Sequence, residues 1–418
     1  MLKAYKYRIY PTSEQKTLLA KHFGCARWMY NYGLAEKTKA FKDKVKLTHI
    51  DIANRISDLK AAPETAWLKE VNSQSLQAAL RNLDNAYTKF FREKKGFPKF
   101  KSKSNSHQSF QCPQHCSVDF DASRVYIPKF QDGLQTVFHR QFEGEIRTVT
   151  VSKNCADEYY VSVLVDNKKE IPQAVPVKNA IGIDLGIKEF AVLSDGRKFA
   201  NPQFSKKTAS RLARLQKSFS RKARGSRNRD KARVKVARCH SYIANRRKDF
   251  LHKLSRELIN DSQVDTFCLE TLNPKGMMAN RKLAKSIGDA SWSSFVSFLS
   301  YKAEWAGKNI VKIGRFEPSS KMCSACGSIK AMPLNLRTYE CSCGYSEDRD
   351  INAAKNIRNF ALLMNRNLGE DFAPMSVEVS KVKSRKVKKL RFTRKDKSQR
   401  TVEAETSGRE VEAPIPLG

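Results

Sequence analysis

The chain has 418 residues and a mass of 47.6 kDa, long enough for two to four domains, and its 40% hydrophobic content allows a sizeable core. Lys and Arg number 79 against 42 acidic residues, a formal charge of +37. Such a field suits a polyanion binder rather than an enzyme for small acidic substrates. A membrane protein is not expected: no window approaches the roughly 18 uninterrupted apolar residues of a spanning helix. Met1 to Lys6 contains no apolar signal core, so a cytoplasmic, nucleoid-associated location is expected.

In chain order, residues 1–10 alternate as a short strand that ends at Pro11. Thr12, Ser13, Glu14 and Gln15 then read as a helix start, with a hydroxyl cap followed by acidic and amide residues. A helical pattern continues to about Lys95, with Leu76, Leu80 and Leu83 on one face, and Gly96-Phe97-Pro98 breaks it. Residues 97–178 are rich in short β runs, Arg124–Ile127, Ile146–Val151 and Tyr159–Val165 among them. Their spacing predicts a small barrel, followed by a linker over 171–178.

From Asn179 a strand runs into the Leu185-Gly186 turn. Phe190–Leu193 and Arg197–Phe199 complete an antiparallel meander. Residues 206–256 carry 19 basic residues against two acids at helical spacing. Val264–Leu269 reads as a buried strand, Ser291–Trp305 as an amphipathic helix, and a further helix starts near Ile351. Lys381–Arg400 holds eleven basic residues and one acid, which reads as a disordered basic tail.

Ten cysteines occur, four of them clustered as Cys323, Cys326, Cys341 and Cys343. Fourteen residues separate a CxxC pair from a CxC pair, and a glycine follows each. Four thiolates at this spacing can surround one structural Zn²⁺ with no open position. Ser319, Ser320 and Lys321 flank the first pair. Cys112, His115 and Cys116 have metal-like spacing but no partner pair, and read as a loop in a strand-rich stretch.

Three acids stand at element ends: Asp184 on the first meander strand, Glu270 after Leu269, and Asp350 at the start of the last helix. Asp348 competes for the third place. An RNase H-like sheet brings such ends together, and three carboxylates can hold two Mg²⁺ for phosphodiester hydrolysis. A helix N-terminus favours the ionised form of Asp350. Taken singly, any one of these acids is more often a turn cap or a solvated charge.

Several segments resemble the transposon-encoded TnpB (OrfB) family, relatives of type V CRISPR effector nucleases. Gly182–Phe190 resembles its first RuvC motif, Leu269–Leu272 its second, and Asp348–Ile357 its third, whose catalytic acid corresponds to Asp350. Tyr5–Pro11 and Gly24–Asn31 also match. The likeness covers about residues 1–360. It implies a mixed α+β and α/β multidomain fold. A β-barrel wedge domain would occupy 1–10 and 97–178, and a helical recognition domain 11–96. An RNase H-like (RuvC) nuclease domain would occupy 179–318 and 346–370, a zinc ribbon 319–345, and the tail 371–418.

The resemblance further implies an RNA-guided DNA endonuclease, with a noncoding guide RNA and target double-stranded DNA as partners, acting as a monomer with its RNA. It would use two catalytic Mg²⁺ and one structural Zn²⁺. Ser73, Gln74 and Gln77 match a helix that meets the target-flanking duplex, where amides can read adenine edges; they equally suit a solvated helix face. Arg337 matches an arginine near the RuvC site, a catalytic residue that would neutralise the scissile phosphate or equally one more phosphate anchor. Arg221, Lys222, Arg224 and Arg227 are expected to meet phosphates. The alternatives are a nuclease-dead RNA-guided repressor, a DDE-type transposase on the same fold, and a plain zinc-ribbon DNA-binding module. The seven histidines never occur two apart, which excludes the two-histidine chemistry of single-strand transposases.

Overall fold

The computed structural model describes residues 1–105, 107–333 and 335–366. The predicted basic tail, and residues 367–370 of the expected nuclease domain, lie outside the described residues.

The first strand, β1 (Leu2–Ile9), leads to Thr12, which caps α1 (Ser13–Lys42) in the predicted capping box with Gln15. Short helices α2 (His49–Asn54) and α3 (Ile56–Ala61) and a 3₁₀ segment over Pro63–Glu70 precede α4 (Ser73–Glu93). Leu76, Leu80 and Leu83 of α4 are fully buried, as their spacing predicts. Six strands follow: β2 (Gln108–Cys112), β3 (Ser117–Asp119), β4 (Arg124–Ile127), β5 (Phe130–Val137), β6 (Glu145–Lys153) and β7 (Tyr159–Asp166). They join β1 in a seven-stranded antiparallel sheet of order β2-β6-β7-β1-β5-β4-β3. Among the described residues no ladder joins its two edge strands. In β7, buried Tyr159, Val161, Val163 and Val165 alternate with partly exposed residues. These side chains share one continuous core with Leu19, Phe23 and Met29 of α1 and the leucines of α4.

The second sheet begins with the predicted meander, β8 (Ala180–Leu185), β9 (Glu189–Leu193) and β10 (Lys198–Ala200). A short α5 (Phe204–Lys207) and the long hairpin of α6 (Ala209–Ser220) and α7 (Arg227–Asn260) lead to β11 (Thr266–Glu270). Then come α8 (Pro274–Met277), α9 (Arg281–Ala290), the predicted amphipathic α10 (Trp292–Trp305), and β12 (Asn309–Ile313). The order is β10-β9-β8-β11-β12, with β11 parallel to both β8 and β12. A hairpin of β13 (Thr338–Glu340) and β14 (Ser346–Asp348) runs directly into α11 (Arg349–Arg366).

The two faces of this sheet are covered differently. Ile181, Ile183, Phe267 and Leu269 pack with Leu251 and Leu254 of α7 and Phe295 and Leu299 of α10. The alternate residue Cys268 packs instead with Ile357 and Ala361 of α11. Side chains alternate along a strand, so Gly182 and Asp184 share one face of β8, and Cys268 and Glu270 share one face of β11. A Cβ on Gly182 would lie 1.9 Å from the Ala354 carbonyl oxygen. Only glycine lets α11 approach the sheet this closely, and that approach brings the first turn of α11 over the strand ends.

Candidate active site and metal centre

Asp184 and Glu270 each stand one residue beyond a directly paired couple, Ile183 and Leu269, on neighbouring parallel strands. The carboxyl ends of parallel strands are where α/β sheets place ligands. Asp350 lies in the first turn of α11. All three acids are partly buried. Burial pushes the Asp184 carboxyl up to about 7, the charges of Glu270 and Asp350 add to the rise, and Arg349 opposes it. The structure therefore sets the carboxylates of Glu270 and Asp350 near that of Asp184. Nearby lysines pair elsewhere, Lys198 with Asp348 and Lys355 with Glu347. Among the described residues no ion pair reaches Asp184, Glu270 or Asp350. This negative charge, balanced only in part by Arg349, fits a divalent cation. The three are not as tight as the cysteine set, which alone among the described residues brings its ligand atoms within 4.8 Å of one another.

Asp348 is occupied differently. Its carboxylate accepts from the backbone amides of Asp350 (2.9 Å) and Ile351 (3.3 Å) and from Lys198 Nζ (2.6 Å). Burial opposes ionisation there, but Lys198 and the two amides hold the carboxyl below its usual range. Asp348 thus caps α11, and Asp350 is the acid whose charge acts on Asp184. Arg337 is exposed, and its carbonyl accepts from the Arg349 amide (2.7 Å). The cation acting on Asp184 is Arg349, whose guanidinium also donates to the Pro333 carbonyl (3.2 Å). Arg349 is not among the residues singled out from the sequence; its place between the two aspartates is the signal for it.

The raised Asp184 pKa carries a pH dependence. Asp184 in the unfolded chain titrates near 3.8, so between about pH 4 and pH 7 the native state holds the extra proton. Stability is then lost as pH rises through that window and levels off above 7. Discounted for partial exposure, the loss is on the order of 1–3 kcal/mol. Asp184→Asn is expected to raise the melting temperature at pH 8 in magnesium-free buffer and to leave it unchanged near pH 4. Equal effects at both pH values would refute the assignment.

The four cysteine sulfurs converge. Cys323 and Cys343 Sγ lie 3.8 Å apart, and Cys326 and Cys341 Sγ 3.5 Å. A tetrahedral Zn²⁺ with bonds of about 2.3 Å separates its sulfurs by about 3.8 Å, so the donor set fits. Gly327 (φ +77°) and Gly344 (φ +87°) turn the chain after each pair, their amides donating to the carbonyls of Cys323 and Cys341 (3.0 Å each). The Ser328 hydroxyl and amide, with the neighbouring thiols, hold the Cys326 thiol below its usual range, while burial pushes the Cys323 thiol up. Cys323 and Tyr339 are fully buried beneath the knuckle. Cys116 Sγ meets the Cys112 carbonyl (3.5 Å), as a loop thiol does.

The remaining residues singled out from the sequence lie on other elements. Ser73 Oγ accepts from Lys60 Nζ (2.7 Å), Gln74 Nε2 donates to Gln114 Oε1 (2.7 Å), and Gln77 is exposed on the same helix. Arg221, Lys222, Arg224 and Arg227 are all exposed at the tip of the α6–α7 hairpin. Replacing these four by Ala is expected to weaken nucleic-acid binding without changing sequence preference. The slope of log affinity against log salt should become shallower by about 0.7–0.9 per lost phosphate contact. An unchanged slope would make the tip a solvated face.

The fold and site together define a mixed α/β protein with a carboxylate centre at the strand ends and a four-cysteine knuckle in the chain leading to its last acid. Family models match at residues 160–281 ("Probable transposase", OrfB_IS605), 292–357 ("Cas12f1-like, TNB domain") and 1–46 ("Helix-turn-helix domain"). The last of these spans β1 and one unbroken helix in this chain. The chain is 40% identical to a "Putative RNA-guided DNA endonuclease" of Streptomyces pristinaespiralis, over 85% of this chain and 88% of that one. It is 32% identical to the "Putative RNA-guided DNA endonuclease InsQ" of Escherichia coli K12, over 85% and 91%. The fold is similar to that in the cryo-EM structure of a Cas12f1–sgRNA–target DNA complex (TM-score 0.52, 15% identity, 86% of this chain and 99% of that one). The chain belongs to the OrfB/TnpB family.

Proposed function

We propose that this protein is a transposon-associated, RNA-guided DNA endonuclease. The observation that carries the reading is the crowding of Glu270 and Asp350 around Asp184, from adjacent strand ends and the helix laid over them. The five-stranded sheet with α11 is read as an RNase H-like (RuvC) nuclease domain, and the region around Cys323–Cys343 as its zinc ribbon. The seven-stranded sheet, whose edge strands are not joined by a ladder among the described residues, is read as the wedge domain in place of the expected closed barrel, and the N-terminal helices as the recognition domain. Names of the relatives support the reading, as does the basic field of +37.

In this mechanism Asp184, Glu270 and Asp350 would hold two Mg²⁺ at the strand ends. When bound, the ions supply an activated water and stabilise charge on the leaving oxygen. Cys323, Cys326, Cys341 and Cys343 hold Zn²⁺ structurally. Arg349 balances part of the negative charge beside Asp184, and Arg337 is a phosphate anchor nearby. Base pairing with the guide RNA selects the target, and Ser73, Gln74 and Gln77 on α4 read the flanking duplex. The protein acts as a monomer with its RNA. No described helix is long and apolar enough to cross a membrane, and the site of action is the cytoplasmic nucleoid.

The test is to sequence the RNA that copurifies with the expressed full chain. That RNA, retargeted, is then supplied with the protein, Mg²⁺ and a duplex library randomised beside the target. Guide-dependent cutting with one enriched flank is the expected result. Joined strands in place of cut ends would favour a DDE-type transposase, the reading favoured by the description of the family model at 160–281. Guide-dependent binding without any cutting would favour a repressor.

A further inference from the structure

The segment entering the cysteine knuckle is tied to the carboxylate centre by a set of buried polar contacts. Ser319 is 6% exposed, and its hydroxyl donates to Glu270 Oε1 across 49 positions of sequence. Asn352 and Asn356 of α11 are fully buried. Asn356 Nδ2 donates to the carbonyls of Ser319 (2.7 Å) and Met322 (2.6 Å). Asn352 Nδ2 donates to the Met322 carbonyl (2.8 Å), and its Oδ1 accepts from the Ser324 amide (2.9 Å). The amides of Lys321 and Met322 both donate to the Pro318 carbonyl (3.0 Å each), closing the turn. Cys323, the buried member of the cysteine set, follows directly.

Buried amides are costly unless hydrogen-bonded; both Nδ2 groups and Asn352 Oδ1 are paired, and among the described residues Asn356 Oδ1 has no partner. Here they fix one short turn at both ends. One end delivers a hydroxyl to Glu270, and the other delivers Cys323 to the knuckle. The helix supplying both asparagines also carries Asp350 in its first turn. Among the described residues Ser319 is the one side-chain donor to the Glu270 carboxylate; bonding Oε1, it orients the group and leaves Oε2 to face a cation.

We infer that Ser319 is a positioning residue for Glu270, set in place by Asn352 and Asn356, so that the cysteine knuckle and the carboxylate centre are aligned through one turn. The inference rests on the carboxylates being the metal-binding centre of a nuclease. Outer-shell partners of metal ligands typically change metal affinity or activity by about 10–100-fold when removed.

The experiment uses the full chain with its RNA for cutting and the full chain alone for metal binding, with Mn²⁺ as the probe read by its free-ion EPR signal. Ser319→Ala is expected to raise the Mg²⁺ needed for half-maximal cutting, and to weaken Mn²⁺ binding, by about 10–100-fold. Ser319→Thr keeps the hydroxyl and is expected to recover most of both. Zinc content and melting temperature should stay at wild-type values in both variants. Wild-type Mg²⁺ demand and Mn²⁺ affinity in folded Ser319→Ala would overturn the inference. So would loss of zinc or of folding in both variants, which would make the serine structural only. Glu270→Gln separates the two levels. If it cuts like wild type, the nuclease assignment of the carboxylates fails; if it is inactive while Ser319→Ala is normal, only the role of Ser319 fails.

Discussion

Asp184→Ala, Glu270→Ala and Asp350→Ala are each expected to reduce target cutting by about a thousandfold or more, while guide-dependent DNA binding stays near wild type. The magnitude follows from losing a metal ligand whose ion contributes several kcal/mol to the transition state. Binding survives because affinity comes from phosphates and base pairs, which these carboxylates do not touch. Asp348→Ala separates the two neighbouring aspartates. Its carboxylate caps α11 and pairs with Lys198. Losing a cap costs about 1 kcal/mol, so this variant should lose stability and retain substantial cutting. Gel-based cleavage and binding with one fixed guide measure both effects. Full activity of Asp350→Ala with loss in Asp348→Ala would reverse the assignment.

The purified chain should carry about one Zn²⁺, removable only with loss of structure around the knuckle. Structural zinc contributes roughly 10–16 kcal/mol of binding energy in small zinc domains, most of it realised as folding. Cys323→Ser is expected to be more damaging than Cys326→Ser, because Cys323 is fully buried and Cys326 is exposed. The same variant should also impair cutting, since the turn before Cys323 reaches Glu270 through Ser319. Metal analysis of each variant, with melting curves, checks the order. Zinc-free protein that melts and cuts like wild type would refute a structural metal.

Much of this molecule was legible locally. The Thr12 capping box, the buried leucines of α4, the alternation in β7 and the meander at Ala180–Ala200 all follow from periodicity and turn chemistry within a few residues. The cysteine spacing announced a four-thiolate cluster for the same reason, since each pair closes over a short turn. Asp184, Glu270 and Asp350 could be proposed because each stands at the end of a recognisable element.

What the sequence determined by itself was therefore the set of elements, their charge and the chemistry of the candidate donors. Only the tertiary structure decided which donors face one another. Asp348 and Asp350 are two residues apart and indistinguishable by type, yet one caps the helix and the other acts on Asp184. The charge of Arg349 acting on Asp184 and the Ser319 hydroxyl on Glu270 could not be assigned from spacing, because both interactions join distant positions. The N-terminal helices and the seven-stranded sheet read as separate regions in sequence but bury their apolar faces in one core. Local backbone preferences write themselves into short patterns. The approach of α11 to β8 depends on the absence of a side chain at Gly182, and its consequence appears only once the two elements are packed.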